Sequence, residues 1–103
     1  MLDKILQIEK KYNELGITLS DPAVIQDYNK FRDLSKQRKS MEETVNLYYD
    51  WKNAVDAIEE AKEMIRNEHD EEMKSFLKAE MAENEAKLPG YEERMKVLLL
   101  PRD

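Results

Sequence analysis

The chain has 103 residues, 39% of them charged and 41% apolar, with two glycines, three prolines, no cysteine and a formal charge of −6. So short a chain has room for one domain with a thin core, and this mixture suits long helices with one buried stripe better than a sheet with frequent turns. It excludes disulfides and thiolate metal sites, its net negative charge opposes a delocalised grip on phosphate backbone, and it leaves no run near the about 18 apolar residues of a membrane span.

At the N-terminus, Met1-Leu2-Asp3-Lys4 has neither the basic stretch nor the apolar run of a secretion signal, so a soluble, cytoplasmic protein is expected. Leu2, Ile5, Ile8, Tyr12 and Leu15 then recur at spacings of three and four, which predicts a helix over 2–15 with one apolar face. Gly16, just past the last periodic residue, is expected to stop it in the left-handed conformation, with Ile17-Thr18-Leu19 as connector. Ser20-Asp21-Pro22 reads as the next start: Asp21 accepts from free amide donors, and Pro22 at the first helical position loses nothing by lacking one.

No glycine or proline follows until Pro89. Val24, Tyr28, Phe31, Leu34, Met41, Val45, Tyr48, Trp51 or Lys52, Val55, Ile58, Ala61 and Ile65 repeat mostly in threes and fours, so one helix is predicted over 22–66, about 65 Å long at about 1.5 Å per residue. Arg38 interrupts the stripe and is expected to lay its stem over the core with its head in water, or to mark the register. Asn67-Glu68-His69-Asp70 provides a reversal, with Asn67 ending one helix and Asp70 capping the next. The returning arm, over 70–98, carries Met73, Leu77, Met81, Asn84, Leu88, Tyr91 or Glu92, Met95 and Leu98, again near a 3.5-residue period. Pro89-Gly90 predicts a kink or a short break in it. The last apolar run, Val97 to Leu100 before Pro101, reads as a junction with further chain. The expected fold is all-α: a long, antiparallel, coiled-coil-like helical hairpin with a short N-terminal helix packed on it, a three-helix bundle forming one domain over 1–103.

Catalytic constellations are missing from the sequence. His69 is the only histidine and falls in the predicted turn, where a solvated residue is a better account than a metal ligand. Carboxylate pairs such as Glu59-Glu60, Glu71-Glu72 and Glu92-Glu93 need a desolvated cleft for acid–base work, and a helical hairpin has little concave space. No nucleophile–base set and no glycine-rich phosphate loop can be assembled. The chain therefore reads as a non-enzyme with no catalytic, cofactor or metal residues. Of the aromatic cluster Tyr48, Tyr49 and Trp51, the helical repeat puts Tyr48 and either Trp51 or Lys52 on the core stripe, which favours packing over stacking on nucleic acid, while Tyr49 points elsewhere, toward an exposed face. The run Lys30 to Lys39 holds five positive residues to one negative. Within it Arg32, Lys36 and Lys39 follow an i, i+4, i+7 row, the best candidate for partner binding; the competing reading is a solvated face paired with acids of the other arm.

Ser20-Asp21-Pro22 after a short first helix, Ala61-Lys62-Glu63-Met64-Ile65 near the end of a long one, Glu72-Met73 at the start of the returning arm, and the closing Lys96-Val97-Leu98-Leu99-Leu100-Pro101-Arg102-Asp103 together resemble the N-terminal domain of the bacterial peptide chain release factor 1 family, over essentially the whole chain. Arg102 stands where the family commonly has lysine, and Leu88-Pro89-Gly90-Tyr91 departs from its uninterrupted helix. The resemblance implies an accessory part of a factor that reads UAA or UAG and triggers peptidyl-tRNA hydrolysis. The codon-reading tripeptide and the Gly-Gly-Gln loop belong beyond Asp103 and map onto no residue here. Implied partners are the ribosome, through a large-subunit protein at the stalk base and nearby rRNA, together with the recycling translational GTPase and the release-factor glutamine methyltransferase. The fragment is expected to be monomeric. A homodimeric coiled-coil structural or adaptor protein is the alternative from another class, suggested by the near-heptad stripe.

Overall fold

The structure is a computed structural model that describes residues 1–101; Arg102 and Asp103, the last two residues of the closing motif, lie outside the described residues. Among the described residues there are four helices and no strand: α1 (Leu2–Thr18), α2 (Pro22–Ile25), α3 (Tyr28–Asn67) and α4 (Glu71–Leu98). The all-α hairpin read from periodicity is what forms. The chain divides into two compact units, Met1–Asn46 and the part from Leu47 onward, with α3 contributing to both.

In the first unit, α1 buries Ile5 and Leu15 and half-buries Ile8 and Tyr12, the face that the spacing marked. Gly16 does not stop it. The helix runs to Thr18, no glycine has a positive φ, and the cap residue Leu19 is right-handed. The Thr18 and Ser20 hydroxyls donate back to the carbonyls of Glu14 and Gly16, both at 3.1 Å, so the last turn is closed without a left-handed residue. What Gly16 provides is space: a Cβ there would meet Arg38 Nη2 at 3.0 Å and Nε at 3.2 Å. Arg38 Nε donates to the Tyr12 carbonyl at 3.1 Å, and the guanidinium lies 3.8 Å from the centre of the Tyr12 ring. The head of Arg38 is thus a clamp between α1 and α3 and does not lie free in water, which is the first of the two roles that its position suggests.

The cap at Asp21 forms as expected, its carboxylate accepting from Ala23 N at 3.0 Å, with Pro22 at the helix start. The helix it opens is a single turn. Asp27 then makes a second cap, accepting from Lys30 N at 3.2 Å, and α3 begins at Tyr28. The long helix predicted from Pro22 is therefore broken at Gln26-Asp27, because an aspartate offering its oxygen to free amides competes with continuation.

In the second unit, Leu47, Tyr48, Ala54, Ile58 and Ala61 of α3 and Leu77 and Met95 of α4 are buried, the seam of a helical hairpin. Trp51 is half-buried and Lys52 exposed, which settles the register between them; the Trp51 indole N–H is buried without a hydrogen-bond partner. Glu68, at the reversal, accepts from His69 N at 3.1 Å and Asp70 N at 3.0 Å, while Asp70 caps α4 by accepting from Glu72 N at 3.2 Å. α4 stays helical through Pro89 and Gly90, so no break occurs there. The proline leaves the carbonyl of Glu85 without its intrahelical donor, and both residues lie on the exposed side where water can serve instead.

Candidate docking surface

The basic row sits on the first turns of α3, a segment oriented by the Asp27 cap. Arg32, Lys36 and Lys39 are all exposed, and a helix places residues at i, i+4 and i+7 along one side. Their electrostatic states differ. Arg32 bonds Asp33 through Nε at 3.1 Å and Nη2 at 3.0 Å, and Lys39 pairs with Glu42 at 3.0 Å. Lys36 has no hydrogen-bond or ion-pair partner among the described residues. Exposed pairs of this kind contribute about 0–1 kcal/mol, so exchanging Asp33 or Glu42 for an incoming phosphate costs little. Both pairs are with neighbours on α3 itself.

The same face carries residues that sequence reasoning placed in the core. Tyr28 is 75% exposed and Phe31 38%, and Ile25 just before them is 55% exposed. Tyr28, Arg32 and Lys39 are at i, i+4 and i+11, almost in line along the helix, and the Arg32 guanidinium is 5.9 Å from the Tyr28 ring centre. An open hollow of about 180 Å³ lies beside the row, lined by Leu19, Ser35, Arg38, Lys39 and Glu42. Aromatic rings interleaved with cations are what a single-stranded or looped RNA uses: bases stack on the rings and phosphates meet the cations. The signal that would have found Tyr28 was the Asp27 cap, since a new helix start there breaks phase with Val24.

Among the described residues no other cluster gathers groups for chemistry. His69 is exposed in the reversal, and no group of three or more His, Cys, Asp or Glu among the described residues is placed to hold a metal ion. No helix of the described residues is long and apolar enough to cross a membrane. Tyr48 packs on Tyr49 at 5.8 Å and on Trp51 at 6.1 Å between ring centres. Lys52 is held above the ordinary lysine value by its hydrogen bonds to Asp56 and by the attraction of that carboxylate.

The family described as the PCRF domain matches residues 8–103. Proteins called peptide chain release factor 1 align along the whole chain: those of Bacillus thuringiensis subsp. konkukian and Chlorobaculum tepidum at 39% identity and that of Oceanobacillus iheyensis at 41%. The chain spans 29% of the length of each of these relatives. No solved structure matches it.

Proposed function

The chain belongs to the PCRF domain family, and on that premise we propose that it is an accessory, ribosome-docking domain of a class I release factor in translation termination at UAA and UAG. In this reading the 103 residues act as one cytoplasmic domain without catalysis of its own. Codon reading and the promotion of hydrolysis are left to other parts of a longer protein. Its partners are the large-subunit protein at the stalk base and nearby rRNA, with the recycling translational GTPase and the release-factor glutamine methyltransferase as further contacts.

The observation that carries the docking role is the face of α3 on which Tyr28 lies open beside Arg32, with Lys36 unpaired. A net charge of −6 opposes nonspecific association with RNA, so attraction confined to one face favours a single orientation. Because the side chains project from a regular helix, little backbone ordering is lost on binding. Arg32→Glu combined with Lys36→Glu is expected to weaken co-sedimentation with ribosomes while leaving the helical circular dichroism intact. Undiminished association would reduce the row to a solvated surface.

A further inference from the structure

The hairpin of the second unit exposes an apolar patch that nothing in its own fold covers. Met64 on α3 is 48% exposed, and Met73 and Phe76 on α4 are 42% and 57% exposed. Their placement follows from the buried seam. Ala61 and Leu77 are both buried, 7% and 5% exposed, and mark the direction each helix turns toward the other. At 100° per residue Met64 stands about 60° to one side of Ala61, and Phe76 about 100° and Met73 about 40° to one side of Leu77, all in the same rotational sense about their own axes. In an antiparallel pair equal senses fall on the same side of the hairpin, so the three residues share a face close to the reversal.

The surroundings of the patch define its occupant. Glu60 is one turn before Met64, Glu80 one turn after Phe76, and Glu83 a turn further, each on the flank of that face. None of these carboxylates has a hydrogen-bond or ion-pair partner through its side chain among the described residues. Between Glu59 and Glu83 acidic residues outnumber basic ones nine to four. Three of those bases, Lys62, Arg66 and Lys74, are already paired with Glu59, Glu63 and Glu71. An acidic rim repels RNA and a second copy of the same rim alike. It attracts a cationic polypeptide, and methionines suit a partner helix whose side chains must be accommodated as they come.

We propose that Met64, Met73 and Phe76, rimmed by Glu60, Glu80 and Glu83, form a docking face for a lysine-rich amphipathic helix of another protein. This surface is separate in sequence and opposite in chemistry to the Tyr28–Lys39 row, so either can fail without the other. The probe is a fluorescein-labelled amphipathic peptide of leucine and lysine, followed by anisotropy, with a leucine–glutamate peptide of the same pattern as comparison. The protein should bind the lysine peptide at least about tenfold more tightly. Met73→Ser with Phe76→Ser should cost about fivefold or more in affinity. Glu60→Gln with Glu80→Gln should weaken binding and flatten its salt dependence, whereas Arg32→Glu with Lys36→Glu should change neither. Equal binding of the two peptides, indifference to both tip variants, or no binding of the lysine peptide overturns the proposal. So does concentration-dependent self-association that the serine variant abolishes, which would make the patch a dimer contact.

Discussion

The two glycines allow the role of Arg38 to be measured, because they lie in equivalent backbone conformations and unequal surroundings. Both are inside α-helices and neither has a positive φ. At Gly90 an added Cβ meets nothing within 4 Å, so Gly90→Ala changes only helix propensity, worth about 0.8–1.0 kcal/mol in favour of alanine. For a domain of this size that raises the melting temperature by about 4–8 °C. At Gly16 the same gain is opposed. The methyl would stand 3.0–3.3 Å from the Arg38 guanidinium, which is held against the Tyr12 carbonyl and ring and must retreat by a few tenths of an ångström. A hydrogen bond from a charged donor contributes about 1.5–3 kcal/mol and a cation–π contact about 0.5–2. Losing even half of the first cancels the propensity gain.

Urea unfolding followed by circular dichroism is therefore expected to show Gly90→Ala stabilised by about 1 kcal/mol and Gly16→Ala unchanged or weaker than the parent. The decisive step is a cycle with Arg38→Met, which keeps an unbranched apolar stem and removes the guanidinium. In that background Gly16→Ala should recover about 1 kcal/mol of stabilisation, a coupling of the same size between residues 22 positions apart. If Gly16→Ala stabilises the parent as much as Gly90→Ala does, and the cycle closes without coupling, Arg38 is not a clamp and the account of Gly16 is wrong.

The caps and the surface pair give two simpler expectations. Asp70→Ala, which removes the acceptor for Glu72 N at the start of α4, should cost about 1 kcal/mol in urea unfolding, whereas the exposed Asp50→Ala, mid-helix in α3, should stay within about 0.5. The Lys52 ammonium should titrate above an ordinary lysine by NMR, and Asp56→Asn should remove the difference; because the folded value is raised, the small stabilisation from this pair is full below the unfolded lysine pKa and lost as pH rises through the folded one.

Periodicity made the seam legible and local competition hid the rest. Val45, Tyr48, Ile58, Ala61, Leu77 and Met95 were on the expected stripes and are buried, because the helical repeat registers burial wherever a helix is uninterrupted. Tyr28 and Phe31 are assigned to the same stripe and are exposed; for Tyr28 the phase counted from Val24 does not survive the Asp27 cap. Gly16 and Pro89 show how one residue type admits two physical roles. Gly16 reads as a helix stop, but its small size beside Arg38 is what the fold uses, and at Pro89 the helix continues without a break because the exposed position lets water replace the lost bond. Arg32, Lys36 and Lys39 were legible as a row, but their pairing with Asp33 and Glu42 depends on rotamers that no spacing rule specifies.

The locality of those ion pairs bears on how such a chain stays both folded and adhesive. Among the described residues every ion pair joins neighbours on one helix, from Arg32–Asp33 to Lys52–Asp56, with exposed or partly exposed side chains. None of these six ties α3 to α4, and within the second unit the apolar seam of Tyr48, Ile58, Ala61, Leu77 and Met95 holds the arms together without them. Charge is then free to be spent outward: reversing Arg32 or neutralising Glu60 removes no bond between helices. That independence makes the charge-reversal and charge-neutralising variants informative, since a change in binding without a change in helical content can be assigned to the face itself and not to a loosened fold.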